Sequence, residues 1–238
     1  MKIFVPASCG SDSTYLLYKV LTEYDGEVIA RIMRTDTTYE DMMTLSKVHS
    51  WLKNNVRNFD FSFAEFEREV YPGGGVLPNM ASNFGRMAKH HDCDLIALGY
   101  NAFNWSHSNW YWQTNDPIEK FYEKGMPYGN FEPQRDHSPL RDYWDGPIEW
   151  PVMSRSSEPI GRFQVWENLP DELKSIVYIC SCGKCNKCLS GKFYRKMKAD
   201  GHTAQKIDDE IQRLGRYGKY YCSETISSER IWLIATYK

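Results

Sequence analysis

The amino-terminal part of the chain alternates between short apolar runs and stretches of helical periodicity. Short apolar runs predict buried strands, whereas apolar residues that recur every three to four positions predict amphipathic helices. The predicted strands span residues 2–7, 27–33 and 94–99. The predicted helices span residues 12–25, 37 or 38 to about 55, and 76–91. A further half-buried strand is predicted at 59–70, where phenylalanine alternates with polar residues.

The second predicted helix carries the clearest apolar stripe. Its members are Met42, Leu45, Val48 and Leu52. Because this spacing places all four on one side of a helix, we expect that side to face the core.

Strands that alternate with helices in this way predict an α/β fold. Such a fold has a parallel sheet with helices on both faces, and its crossovers are right-handed. Ligands of these sheets bind beyond the carboxyl ends of the strands. Three segments follow predicted strands and fall at those ends: 8–13, 33–36 and 99–104. The sequence therefore predicts one shared site at this edge.

The segment between the first strand and the first helix is Ser-Cys-Gly-Ser-Asp-Ser, at 8–13. Its position aims backbone N–H groups and the positive helix end at one point, where an anion is stabilised. The serine hydroxyls add donors, and Gly10 permits close approach of a ligand. Asp12 is either a capping or first-turn residue, or a Mg²⁺ ligand beside phosphates. No Gly-Lys-Ser/Thr follows, so this is not the Walker loop. We expect the loop to bind an anion such as a phosphate group.

Four cysteines lie within nine residues in the carboxyl-terminal third, at positions 180, 182, 185 and 188. Two successive C-x-x-C steps are typical of zinc knuckles, and closed four-cysteine sites are usually structural. We therefore expect a structural Zn²⁺ on Cys180, Cys182, Cys185 and Cys188. Cys222 replaces Cys180 if the C-x-C geometry is strained, and an iron–sulfur cluster stays open from spacing alone.

The chain divides into two predicted parts. Residues 1–170 are expected to form the nucleotide-binding domain. Its aromatic-rich insertion at about 102–150 is expected to be a lid or a substrate-facing insertion. Its aromatic residues are expected to overhang the strand ends and to stack on a flat heterocycle; they are Trp105, Trp110, Tyr111 and Trp112. Residues 171–238 form a small helical zinc-binding region. Its helices are predicted at 171–176, 189–199 and 203–216, with a final strand at 230–237.

Charge and composition narrow the class of protein. The net charge of −2 gives no basic footprint for a long nucleic-acid groove. The longest apolar runs are too short to cross a bilayer, and the first residues lack the apolar stretch of a signal peptide. Seven cysteines without an export signal favour a reducing, cytoplasmic location. His90, His91 and His107 are expected to be surface or lid histidines.

The loop and the cysteine cluster each resemble a family motif. The loop is similar to the Ser-Gly-Gly-x-Asp-Ser signature of the PP-loop ATP pyrophosphatases, with Cys9 where that family usually has its first glycine. Together with the Cys-Gly-Lys-Cys-Asn-Lys-Cys pattern at 182–188, it resembles the 7-cyano-7-deazaguanine synthases of the queuosine pathway. Segments 95–101 and 148–151 resemble further stretches of that family in the same order.

The resemblance implies an ATP-dependent carbon–nitrogen ligase. ATP activates a 7-deazaguanine carboxylate, ammonia gives the amide, and a second ATP drives formation of the nitrile. It further implies that Asp12 and Ser13 contact the phosphates and have catalytic roles. Adenine is implied to lie near Met33 and Arg34. Gly99 and Asn101 are implied to line the nucleotide or the substrate. The implied phosphate-loop residues are Ser8, Cys9, Gly10, Ser11, Asp12 and Ser13. The implied cofactors are ATP, Mg²⁺ and Zn²⁺, and a homodimer is one option for the assembly.

Two alternatives follow from departures in the sequence. The family has a lysine shortly after the segment that matches Pro151, whereas this chain has Arg155 there, and the two cations are not interchangeable at a tight site. One alternative is therefore a PP-loop enzyme that adenylates a different substrate, such as a tRNA base. The other is a nucleotide-binding module of a protein assembly that has lost turnover.

Overall fold

The computed structural model describes residues 1–32, 39–64, 76–99, 140, 142–149, 151–154, 161–177 and 197–208. Within these residues, five parallel strands form one sheet. The strands are β1 (Lys2–Ala7), β2 (Glu27–Ile32), β3 (Asp60–Phe63), β4 (Leu95–Ala97) and β5 (Ile148–Glu149). The predicted α/β fold with a parallel sheet is confirmed.

Helices follow the strands much as the periodicity predicts. They are α1 (Ser11–Glu23), α2 (Tyr39–Asn55), α3 (Val76–His90), α4 (Pro151–Ser154), α5 (Arg162–Glu167) and α6 (Asp171–Ile176). Residues 197–199 and 204–208 are also helical, inside the two helices predicted last. The helix α6 packs into the same apolar cluster as the sheet, through the fully buried Leu173.

Both faces of the sheet are covered. In β1, Ile3, Phe4 and Val5 are all 0% exposed, and successive strand residues point to opposite faces. Ile3 and Val5 share a cluster with α1, α2 and the short helices α4 to α6. The helix α3 contacts β1 and β4 and contributes nothing to that cluster, as expected for a helix on the opposite face.

The strand order β3-β2-β1-β4-β5 places β1 beside β4. The chain runs outward from β1 to β3 and then returns to the other side of β1. With right-handed crossovers, α1 and α2 cover one face and α3 covers the other. The boundary between β1 and β4 is therefore the topological switch point, where open α/β sheets bind ligands.

Two apolar positions differ from the sequence prediction. Met42 is 44% exposed, so the buried stripe of α2 begins at Leu45 instead. Leu45 packs on Ala7 and Ile32, the last residues of their strands, so the first turn of α2 extends past the sheet. Phe63 is 52% exposed at the end of β3, and residues 65–70 of that predicted strand lie outside the described residues.

His91, predicted to lie at the surface or in the lid, is partly buried behind β2. Its Nε2 accepts a hydrogen bond from Nε of the buried Arg31 at 3.3 Å. Nη2 of Arg31 also donates to Asp60 at 2.6 Å, and this contact holds the pKa of the Asp60 carboxyl below its ordinary value. Burial, followed by the Arg31 charge, lowers the pKa of His91. The neighbouring His90 is exposed, as predicted.

The described helices show no candidate membrane span: none of them is both long and apolar enough.

Candidate functional site

The loop between β1 and α1 is held together by the hydroxyl of Ser13. Its Oγ lies 2.7 Å from Ser8 Oγ and accepts a hydrogen bond from the Ser8 backbone N–H at 3.1 Å. It also lies within donor distance of the carbonyl oxygens of Ser8, at 2.9 Å, and Gly10, at 3.3 Å. The backbone N–H of Gly10 points to Ser8 Oγ at 3.4 Å. The two serines therefore fix the curvature of the loop.

The first turn of α1 opens into this loop. The helical ladder begins with the hydrogen bond from Thr14 N–H to Gly10 carbonyl oxygen, at 3.1 Å. The N–H groups of residues 11–13 precede that bond and belong to the positive end of the helix. The Ser11 side chain is buried at 3% exposure. An anion in the loop would therefore meet backbone N–H groups and the hydroxyls of Ser8 and Ser13.

Gly10 is the residue before the first helical turn, and the fold itself does not require a glycine there. Its φ of −80° and ψ of 158° are open to any residue. Among the described residues, an added Cβ would meet only Ser8 Oγ, at 3.7 Å. The space beside Gly10 is consistent with close approach of a ligand to the backbone.

Asp12 lies in the first turn of α1, and Gly10 holds the N-cap position. Of the two structural roles that the sequence left open for Asp12, N-cap or first-turn residue, the structure therefore supports the first-turn role. Its Oδ1 atom is buried at the loop. A carboxylate oxygen is the donor type that Mg²⁺ prefers, so the chemistry of Asp12 fits a magnesium ligand.

The side chain of Cys9 is directed toward α2. It is 5% exposed and packs with Ala7, Ile32 and Leu45. Its Sγ donates a hydrogen bond to Oδ1 of Asp41 at 3.1 Å. The side chain of Cys9 therefore adds its bulk to the core. Sequence reasoning missed Asp41. Its position in the first turn of a helix that follows a strand end is the signal that could have identified it.

Gly99 follows β4 and lies against α1. A Cβ at this position would lie 3.1 Å from Cβ of Leu16 and 3.4 Å from the backbone oxygen of Asp12. Such contacts are tight, so glycine here permits the end of β4 to approach α1. The structure thus brings Gly99 to the same helix turn as the loop at 8–13.

A second contact that sequence reasoning missed holds α5, the helix that packs on the side of α1. The carboxylate of Asp208 receives the N–H groups of Phe163 and Gln164 at 2.9 to 3.1 Å. Asp208 is 2% exposed. At Gly161, an added Cβ would lie 2.2 Å from Asp208 Cγ, so a side chain there would collide with the carboxylate.

Several predicted site residues lie outside the described residues. They are Met33, Arg34, Asn101, Cys180, Cys182, Cys185 and Cys188. Within the described part of the chain, no three His, Cys, Asp or Glu side chains converge as a metal site. Cys9 and Cys93, both predicted to be thiols, are buried and form no disulfide within the described part of the chain.

Comparison with known proteins gives a weak similarity to solved structures alone. No family model matches the chain, and no curated protein matches it. Among solved structures, the chain is similar to the U34-tRNA thiolase NcsA from Methanococcus maripaludis with its 4Fe–4S cluster. The identity is 14% and the TM-score 0.48, over 94% of this chain and 75% of that chain. At that TM-score the similarity carries no argument about activity or cofactor, so a functional assignment rests on the residues of the loop.

Proposed function

We propose that this chain is an ATP-dependent enzyme that adenylates a 7-deazaguanine carboxylate and converts it with ammonia to the amide and the nitrile. The observation that supports this most is the position of the loop at 8–13. It leaves β1 at the switch point beside β4 and enters the amino terminus of α1, an arrangement that favours phosphate binding. The resemblance to the 7-cyano-7-deazaguanine synthases supplies the substrate class.

In this proposal each loop residue has a distinct task. The N–H groups of residues 11–13 and the hydroxyls of Ser8 and Ser13 bind the phosphates of ATP. Asp12 holds Mg²⁺, which when bound neutralises charge on the departing pyrophosphate. Met33 and Arg34 face the adenine, while Gly99 and Asn101 line the nucleotide or substrate.

The reaction needs positioning more than covalent help from the protein. An oxygen of the substrate carboxylate attacks the α-phosphorus of ATP, and pyrophosphate leaves. Ammonia then attacks the acyl carbon, and AMP leaves with the former carboxylate oxygen. The amide oxygen then attacks the α-phosphorus of a second ATP, and a second pyrophosphate leaves. The oxygen departs on AMP while the amide nitrogen loses its two protons to solvent, which gives the nitrile. The flat aromatic insertion with Trp105 and Trp110 is proposed to stack on the heterocycle.

Pyrophosphate release is the measurement that tests this function. We expect purified protein with ATP and Mg²⁺ to release pyrophosphate when 7-carboxy-7-deazaguanine is added, and to form nitrile only when ammonium is present too. Gly10→Ala is the informative variant, because its added Cβ fills the space in which phosphates bind. We expect it to weaken ATP binding about tenfold or more, equivalent to about 1.4 kcal/mol. The same change should alter the free energy of unfolding by no more than about 1 kcal/mol, because alanine restricts the unfolded chain but is a poorer N-cap residue than glycine.

Other outcomes of this assay identify the alternatives. Pyrophosphate release that depends on unmodified tRNA and not on the acid would favour the enzyme of changed specificity. ATP binding without pyrophosphate release under either condition would favour the binding module. Equal ATP affinity of Gly10→Ala and the parent would contradict the loop assignment itself.

For the carboxyl-terminal cysteines we propose a structural Zn²⁺ on Cys180, Cys182, Cys185 and Cys188. Four thiols at C-x-C and C-x-x-C spacing form a donor set that fits this ion. We expect elemental analysis of the purified protein to give about one zinc per chain. Cys185→Ser should lower zinc content and destabilise the carboxyl-terminal third, because metal binding and folding are linked. Cys222→Ser is the matched control and should retain zinc, and iron in place of zinc would refute the assignment.

A further inference from the structure

The side chain of Cys9 connects the loop at 8–13, the proposed phosphate loop, to α2, and a glycine at this position would lack that connection. Cys9 lies between β1 and α2, 5% exposed, in a small apolar cluster with Ala7, Ile32 and Leu45. Its thiol donates to the Asp41 carboxylate at 3.1 Å, across a separation of 32 residues. Asp41 lies in the first turn of α2, where the helix dipole favours a negative charge.

This contact restricts the loop in two ways. The packing around the sulfur holds the Cys9 side chain in place, and the hydrogen bond keeps that side chain directed toward α2. A glycine at this position would leave the backbone more conformations to lose on binding. A loop already held in its binding shape binds its ligand with less ordering cost.

We propose that Cys9 and Asp41 form a positioning pair that holds the phosphate loop ready for ATP, an inference that rests on the proposed function of that loop. The thiol acts as a protonated donor. A thiolate this close to a carboxylate would be repelled by it, so Cys9 does not serve as a nucleophile. Neither residue touches the reacting atoms; both act through the backbone of residues 9–10.

Affinity for ATP, compared among paired variants, tests the positioning role. Cys9→Ala and Asp41→Ala each remove the hydrogen bond, and we expect each to weaken ATP binding about fivefold to tenfold. The loss of ATP affinity in the double variant should be clearly smaller than the product of the two single losses, because the shared hydrogen bond can be lost only once. Cys9→Ser keeps a donor and Asp41→Asn keeps an acceptor oxygen, so both should stay within about twofold of the parent. Additive losses in the double variant, or lowered melting temperature with parent-like ATP affinity, would refute the pair.

A second measurement does not involve ATP at all. We expect alkylation of Cys9 by iodoacetamide at one fixed pH, followed by peptide mass spectrometry, to be about threefold faster or more in Asp41→Asn, because the neutral amide no longer opposes the thiolate. Cys93 is the internal reference. Burial raises its pKa to about 11, and it should react at one slow rate in both proteins.

The two measurements separate the two proposals. If Cys9 reacts at the parent rate in Asp41→Asn, the positioning pair is wrong, whatever ATP does. If the parent protein does not bind ATP, the proposed function fails and the positioning of ATP fails with it. Slower alkylation of Cys9 in the parent protein when ATP is present, with no change at Cys93, would support both proposals.

Discussion

Replacing Asp208 by alanine is expected to lower the free energy of unfolding by about 3 kcal/mol. This is the largest loss of stability that we expect from the removal of one buried carboxylate. The change leaves the N–H groups of Phe163 and Gln164 without their acceptor, and the N–H of Phe163 is buried. It also removes a negative charge from the positive end of α5. Urea unfolding followed by circular dichroism measures the loss.

Asp200→Ala is the matched control for this prediction. Asp200 lies in the same described segment as Asp208 but is exposed, so its loss should change stability by no more than about 0.5 kcal/mol. Asp208→Asn keeps one acceptor oxygen and should fall between alanine and the parent. An Asp208→Ala protein as stable as the Asp200→Ala protein would show that the carboxylate does not hold α5.

Replacing Asp12 by alanine is expected to lower Mg²⁺-dependent pyrophosphate release at least about a hundredfold, because the variant loses electrostatic stabilisation in the transition state. In the proposed mechanism this carboxylate holds the Mg²⁺ that neutralises the departing pyrophosphate. Its position in the first turn of α1, beside the phosphate loop, suits that task. Steady-state assays of pyrophosphate release measure the loss, and circular dichroism should show an unchanged fold.

Asp25→Ala provides the comparison for that result. Asp25 is exposed just beyond the carboxyl-terminal end of α1, at the opposite end from the loop, so the variant should release pyrophosphate at the parent rate. If Asp12→Ala also keeps the parent rate while binding ATP, Asp12 has no part in turnover. A variant that unfolds would be replaced by Asp12→Asn, which preserves the shape of the side chain and removes its charge.

The amino-terminal end and the side of α1 make different contacts. The amino-terminal end follows the loop at 8–13, whereas the side packs on α4 and α5. Its carboxyl-terminal end is held by Arg57, whose guanidinium donates to the backbone oxygens of Gly26 at 2.9 Å and Tyr24 at 2.8 Å. Asp208 therefore supports the side of this helix through α5, whereas Asp12 lies at the end where ATP is proposed to bind.

The sequence by itself determined the elements and the place of the loop. Periodicity is a local property, because it depends only on which neighbouring side chains are apolar. For this reason the predicted strands at 2–7 and 27–33 agree with β1 and β2 to within one residue. The serine- and glycine-rich segment at 8–13 could likewise be assigned to a strand end before any contact was known.

Only the tertiary structure decided which elements meet. Periodicity says that one side of α2 is buried, yet it could not tell that the stripe starts at Leu45, since Met42 lies past the end of the sheet. It gave no sign that β4 pairs with β1 and so brings Gly99 to α1. Nor could it direct the thiol of Cys9 to Asp41, or Asp208 to an N–H group 45 residues earlier. A local pattern encodes which side of an element avoids water, whereas its partner is selected by the packing of the whole chain.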